Sequence, residues 1–474
     1  MLDPSVIRDL RKIVGPANLL TEPEELTVYS YDATRLTAVP DAVARPATAE
    51  EVSRILLLAN RKKFPVSPRG AGTGMSGGSV PRRGGIVLSF ERMNRILEID
   101  EANRVAVAEP GVITGDLQRE AESRGLFYPP DPASSNFCTL GGNVAECAGG
   151  LRAVKYGVTK DYVLGLEVVL PTGEIIRTGA RTRKSVAGYD LTRLIVGSEG
   201  TLGVITKIVV RLVPLPERVE TLAAFFGDRG AALRVLPDTT KKRIVPRTFE
   251  FVDGAALRAA EGYLRTDPPS GAAAMLLIET DGSADSASRE MDAIEMICRE
   301  AGAAVVRRAK DRSEQALLWK LRKAISPALY AIKPVKINED IVVPVDRIGA
   351  MLGAIDAAAA RHGLLIVNFG HAGDGNIHTN IMIEERERAA AELAVREILE
   401  TAVRLDGSIS GEHGIGMCKS AYLPLEVGKD ALAVMKRIKQ ALDPNTVLNP
   451  GKIFIDPERG AFDPSSGRGT GNAE

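Results

Sequence analysis

The sequence predicts an α+β protein of two or three domains, and three observations carry that prediction. At 474 residues the chain exceeds what one hydrophobic core ordinarily serves. The pair of prolines in Pro214-Leu215-Pro216 interrupts it near the middle, after a half crowded with glycine loops. Beyond that point, strand-like and helix-like patterns alternate, as in a sheet covered by helices.

Taken in order, Thr48-Ala49-Glu50-Glu51 forms a capping box. Val52, Ile55, Leu56, Leu58 and Ala59 then share one helical face, which predicts an amphipathic helix ending near Phe64. A glycine-rich loop follows, then a strand at Ile86 to Phe90 and an alternating strand around Val105 to Ala108. A helix from Thr114 to Arg124 leads into a long loop, Tyr128 to Tyr156, rich in Pro, Ser, Asn and Gly. Leu164 to Leu170 and Ile175 to Thr178 flank Pro171-Thr172-Gly173-Glu174, a hairpin signal. The strand-like run Gly203 to Val213 closes the first half. In the second half, strands are expected at Leu222 to Phe226, Arg247 to Val252, Met275 to Glu279, Val305-Val306, Lys336 to Pro344 and Leu364 to Phe369. A last helix is expected around Ala431 to Leu442, and the polar, Gly/Ser-rich residues 457–474 are expected to be a disordered tail.

Lys plus Arg equals Asp plus Glu, so nothing global marks a nucleic-acid or anionic-membrane binder. No apolar run approaches the ~20 residues of a spanning helix, and the N-terminus lacks the regions of a signal peptide. Cys138, Cys147, Cys298 and Cys418 show no Cys-x-x-Cys pairing, which predicts a reduced, cytoplasmic protein without disulfides or an iron–sulfur cluster of its own. Any membrane association is then expected to be peripheral, through a partner.

Gly72-Thr73-Gly74-Met75-Ser76-Gly77 satisfies G-x-G-x-x-G, but Gly78, Pro81, Gly84 and a strand follow where a dinucleotide fold needs a helix. A Rossmann crossover is therefore not expected. Consecutive glycines still expose N–H groups able to cradle a pyrophosphate, and the same chemistry of small residues, hydroxyls and amides recurs. Pro132-Ala133-Ser134-Ser135-Asn136, Thr139-Leu140-Gly141-Gly142-Asn143 and Gly197-Ser198-Glu199-Gly200-Thr201-Leu202-Gly203 repeat it. Together such loops suit an extended, phosphate-bearing ligand.

Three of the four histidines fall in two glycine-flanked stretches, Gly370-His371-Ala372-Gly373-Asp374-Gly375-Asn376-Ile377-His378 and Gly411-Glu412-His413-Gly414. Two imidazoles and a carboxylate make a typical catalytic divalent-metal set with an open position, and a third imidazole is available as acid or base. A hairpin-like connection would bring His371 and His378 together. His362, beside a predicted helix end at Gly363, reads as an ordinary structural histidine.

These motifs carry a specific resemblance. Pro68-Arg69-Gly70-Ala71-Gly72-Thr73-Gly74, Gly141-Gly142-Asn143, Gly188-Tyr189-Asp190-Leu191 and the Gly197 to Gly203 loop resemble the FAD-binding domain of the vanillyl-alcohol-oxidase class of flavoproteins. With Gly-His-x-Gly-Asp-Gly-Asn-x-His and Ser410-Gly411-Glu412-His413-Gly414, the chain is similar from about Tyr29 to Phe454 to FAD-linked D-2-hydroxy-acid dehydrogenases. The resemblance implies a two-lobed FAD-binding domain within residues 1–216, with a core of about 38–216. It also implies an α+β substrate and metal domain with an antiparallel sheet over 217–420, and a C-terminal helical segment, 421–456, returning to the flavin. The implied reaction oxidises a small D-2-hydroxy acid, glycolate or D-lactate, by hydride transfer to flavin N5.

By the same resemblance, FAD is contacted by Pro68, Arg69, Gly70, Ala71, Gly72, Thr73 and Gly74. Pro132, Ser135, Gly142, Asn143, Glu199, Gly200, Gly203, Ile205, Asn376 and Asn449 complete the implied set. Relatives that tether FAD use a histidine near the first glycine loop; here Ala71 and Thr73 occupy it, so FAD is expected to be non-covalent. His371, His378 and Glu412 are the implied ligands of zinc or a similar ion, and His413 the base. Arg322 matches the position that recognises the substrate carboxylate, with Ser326 and Lys336 as weaker candidates nearby. Reduced FAD would pass electrons to a quinone, an electron-transferring flavoprotein, an iron–sulfur subunit or another carrier, and a homodimer is compatible with the resemblance. Two other readings stand beside this one: a two-histidine, one-carboxylate metalloenzyme without flavin, and a non-catalytic flavin subunit of a larger complex. The metal motif disfavours the ether-lipid synthase branch, which shares the FAD domain.

Overall fold

In the computed structural model, residues 2–264 and 271–454 are described; the tail expected at 457–474 lies outside them. The chain divides into two compact units. The first comprises Met1–Ala148, Val158–Leu215 and Glu412–Glu474, and the second Gly149–Gly157 and Pro216–Gly411. Residues 412–420, grouped from the sequence with the second domain, thus belong to the first.

The first unit holds two principal sheets. One has four strands in the spatial order Leu19–Leu20, Ala42–Ala44, Ile86–Ser89 and Val66–Arg69, with the last three parallel. The amphipathic helix Ala49–Lys62 connects two of these strands. Thr48 accepts the Glu51 N–H at its start, and Glu51 reaches back to the Ala47 N–H. Its face of Val52, Ile55, Leu56 and Ala59 is fully buried against Ile86 and Leu88, each such side chain contributing ~1.5–3 kcal/mol. The second sheet is antiparallel, ordered Ile96–Asp100, Val105–Ala108, Val204–Arg211, Val163–Val169 and Ile175–Gly179. The hairpin expected around Gly173 is its last pair. Val105–Ala108 is buried at every position, so its strand is covered on both faces.

The stretch 128–156, expected as loop, contains two short helices, Leu140–Glu146 and Ala153–Tyr156. Thr139 caps the first by accepting the Gly142 N–H. Two glycines inside a helix argue against it on propensity. Packing decides otherwise here, because a Cβ on Gly141 would lie 2.6 Å from Pro110 and only glycine lets the turn approach.

The second unit is built on a seven-stranded antiparallel sheet, ordered Ala303–Arg308, Arg218–Phe226, Ala274–Gly282, Thr248–Asp253, Leu365–His371, Asn376–Ile383 and Val335–Val342. Phe225, Val252, Leu277, Val367, Phe369 and Met382 point from it into one cluster with Ile325 and Leu329 of the helix Arg312–Leu329. That helix starts at Asp311, whose carboxylate accepts the N–H groups of Ser313 and Glu314.

Candidate functional site

In the first unit a cavity opens among the glycine loops. Its lining includes Pro68, Arg69 and residues 70–74, Pro132, Gly142, Asn143, Glu199, Gly200, Gly203, Ile205 and Asn449. Ser135 is not on this lining; its neighbour Ser134 is, while the Ser135 carbonyl accepts the Gly115 N–H. The backbone N–H groups of residues 71–74 donate to no acceptor among the described residues, so they remain available to a ligand. Arg69 backs this loop rather than reaching outward: its guanidinium donates to the Tyr31 carbonyl at 2.6 Å and to Ser79 at 3.2 Å. A backbone-lined cradle of this kind fits the phosphates of FAD.

Glu412 and His413 line the same cavity. The device that brings them there is Glu199, whose two carboxylate oxygens accept the N–H groups of Ile415 at 2.8 Å and Gly416 at 2.6 Å. Glu199 adopts a left-handed backbone, φ 52°, within the Gly-Ser-Glu-Gly turn. Asn449 ties a third segment to this point, donating to the carbonyls of Glu199 and Gly78. Burial raises the Glu199 carboxyl above its ordinary range, against those two backbone N–H groups. Glu146, also on the lining, is pushed well up by burial and by the adjacent Glu199 and Asp32. Its Oε2 has no hydrogen-bond partner among the described residues. Burial likewise lowers the Lys452 ammonium to about 8, and its Nζ donates to the Gly77 carbonyl at 2.6 Å.

The second site lies within the second unit, and its parts are set by strand register. His371 and His378 sit on the hairpin Leu365–His371 and Asn376–Ile383, with Phe369 directly opposite His378. Glu250 is the cross-strand partner of His371, and Asp340 that of His378. Directly opposed residues share a face and lie within side-chain reach, so register alone assembles two carboxylate–imidazole pairs. Glu250 Oε1 is 2.5 Å from His371 Nδ1, and Asp340 Oδ1 is 3.6 Å from His378 Nδ1. All four residues are buried, and both carboxylates are fully so. The two imidazoles face each other edge to face, Nε2 to Nε2 at 3.4 Å. Two nitrogens each about 2.1 Å from a tetrahedral zinc stand about 3.4 Å apart, so the donor pair fits a divalent ion. A carboxylate behind each imidazole is the usual second support of such ligands.

Arg322 and Ser326 lie one turn apart on the helix Arg312–Leu329. Arg322 Nε donates to Glu250 Oε2 at 2.8 Å, Nη2 lies 2.7 Å from the same oxygen as an ion pair, and the guanidinium stacks 4.6 Å from the Phe369 ring centroid. Burial alone would raise the Glu250 carboxyl; His371 and Arg322 outweigh it and hold the group below its ordinary range. Lys336 Nζ donates to Ser326 Oγ at 2.8 Å and lies over the Tyr330 ring. Asn376, implied as a flavin contact, gives its amide N–H groups to Asp340 Oδ1 at 2.6 Å and to the Ile341 carbonyl at 3.0 Å. His362 pairs with Glu397 at the end of its helix, as a structural histidine does.

Glu250 and Asp340 were not singled out by motif. The available signal was a carboxylate inside an otherwise apolar strand, Thr248-Phe249-Glu250-Phe251-Val252, and a strand reading Asn338-Glu339-Asp340-Ile341-Val342. Neither becomes a site without the register that places a histidine opposite.

Among known families, the one described as FAD binding domain matches residues 40–179, and that described as FAD linked oxidases, C-terminal domain, matches residues 215–453. The chain is 46% identical to the glycolate oxidase subunit GlcD of Bacillus subtilis (strain 168), over 97% of this chain and 98% of that protein. It is 35% identical to a D-lactate dehydrogenase of Anaerostipes hadrus, over 95% of this chain and 97% of that one. In fold it is similar to a substrate-bound p-cresol methylhydroxylase, with a TM-score of 0.78 at 19% identity, covering 96% of this chain and 97% of that one.

Proposed function

The chain belongs to the family of FAD-linked D-2-hydroxy-acid dehydrogenases and is an oxidoreductase, and from that premise we propose that it oxidises glycolate or D-lactate to the 2-oxo acid. The observation that carries the proposal is the presence of Glu412 and His413 on the wall of the glycine-loop cavity, held there through Glu199. A base and a ligand-capable carboxylate on a flavin cavity are what α-hydroxy-acid oxidation requires.

In this reading FAD, when bound, supplies the acceptor for the substrate's α-hydride, and a divalent ion supplies Lewis acidity to the hydroxyl. Within the second unit His371 and His378 would hold the ion through their Nε2 atoms, which stand 3.4 Å apart. Arg322, clamped along one edge by Glu250, offers its remaining N–H groups to the substrate carboxylate. His413 takes up the hydroxyl proton as the C–H bond breaks. FAD is held without a covalent histidine link, because the first glycine loop carries Ala71 and Thr73. Bound FAD would need a separate electron acceptor, a quinone or a redox protein, to complete the turnover.

The test is anaerobic bleaching of the flavin absorbance by a panel of 2-hydroxy acids, with and without a chelator. Glycolate or D-lactate should bleach it, and chelation should abolish the reaction while the flavin stays bound. A flavin that no 2-hydroxy acid reduces would end this reading, and a rate indifferent to chelation would end its metal part.

A further inference from the structure

We propose that Glu250 is a positioning residue serving both halves of the substrate site: one oxygen sets His371 for ligation through Nε2, and the other sets the guanidinium of Arg322. The inference rests on the metal and carboxylate roles given above to His371 and Arg322, and it extends them to a residue that lies on neither motif. Glu250 is fully buried, and its oxygens divide their partners cleanly. Oε1 lies 2.5 Å from His371 Nδ1, while Oε2 accepts Arg322 Nε at 2.8 Å and pairs with Nη2 at 2.7 Å.

A carboxylate is an acceptor only, so the ring nitrogen facing it is the one that carries the proton. That fixes the His371 tautomer and turns the Nε2 lone pair toward His378 Nε2, 3.4 Å away. On the other side, engagement of Nε and Nη2 leaves one edge of the guanidinium for a ligand, and the Phe369 ring beneath it limits rotation. Phe369 stands two residues before His371 on the same strand and opposite His378, so one sheet face carries Glu250, His371, Phe369 and His378, and Arg322 meets it from the helix Arg312–Leu329. Asp340 supports His378 differently: at 3.6 Å it is farther away, and its oxygens also accept the Asn376 amide and the Gly411 N–H at 2.6 and 2.9 Å. Glu250 thus joins an imidazole of the metal pair to the arginine.

The experiment uses the full-length, FAD-loaded protein, with zinc as the probe and its dissociation constant measured by chelator competition. Four forms are compared: wild type, Glu250→Gln, Arg322→Met and the double variant. Glu250→Gln should weaken zinc binding by about 10- to 100-fold, the usual effect of removing such a support. Arg322→Met should stay within about threefold of wild type, and the double variant should match Glu250→Gln. The double variant removes the ion pair as a unit, so the comparison survives if the single change, which strands a buried arginine, fails to fold. At saturating zinc, the KM of Glu250→Gln for the 2-hydroxy acid that bleaches the flavin should remain raised, because Arg322 has lost its orientation. Unchanged zinc affinity in Glu250→Gln, or an equal loss in Arg322→Met, overturns the His371 half of the proposal. A KM that returns to the wild-type value at saturating zinc overturns the Arg322 half. A wild-type protein that takes up no zinc overturns the metal reading itself, an outcome distinct from failure of Glu250 alone.

Discussion

Two residues on the flavin cavity carry predictions of opposite kinds. His413, as the proton acceptor, should be needed for chemistry and not for cofactor retention. His413→Asn is expected to keep its flavin spectrum while the rate of substrate-driven flavin reduction falls by ~10²–10⁴; a rate within a few-fold of wild type would remove His413 from its role. Glu146 is a stability matter. Its folded pKa is raised above the ordinary carboxylate value of 4.5 by burial and by Glu199 and Asp32. A raised carboxyl stabilises the fold fully below that ordinary value, and the benefit is lost as the pH climbs through the raised one. Glu146→Gln mimics the neutral form and does not titrate. The expected result is that melting temperatures of wild type and variant agree in acid and diverge as the pH rises, with the variant the more stable. Parallel profiles would show that Glu146 does not titrate in this way. His413 was legible from its motif, whereas Glu146 was not, because its environment is made by segments far apart in sequence.

At the scale of elements, most strands and helices announce themselves through periodicity and caps. The helix Ala49–Lys62 is an example: box, face and left-handed exit at Lys63 are all present. The helix Leu140–Glu146 is the counterexample, since Gly141 and Gly142 speak against it and the reason for them is Pro110 on another segment. Gly141→Ala should therefore cost stability, about 1–3 kcal/mol by the usual penalty of overpacking, and lower FAD affinity with it. Equilibrium denaturation and fluorescence titration with FAD measure the two, and a variant equal to wild type in both would show that the turn can relax. The hairpin carrying His371 and His378 was readable from its glycines. Its neighbours in the sheet were readable as strands, but not as partners, because register is a property of pairs.

For the whole molecule, Cys138 and Cys298 are buried in the strand and helix cores of the two units as small apolar side chains. The melting temperature should accordingly be the same with and without a thiol reductant; a drop on reduction would reveal a disulfide. No helix among the described residues is long and apolar enough to cross a membrane. What the sequence determined by itself was the class of fold, the glycine loops and the histidine motifs, because local backbone demands and apolar periodicity are written in consecutive residues. What only the tertiary structure decided was company. Glu199 ties the Glu412-His413 segment to the flavin cavity from more than two hundred residues away, and Glu250 and Asp340 meet their histidines through sheet register. Such partnerships are fixed by which strands pair and which loops pack, and no local pattern encodes them.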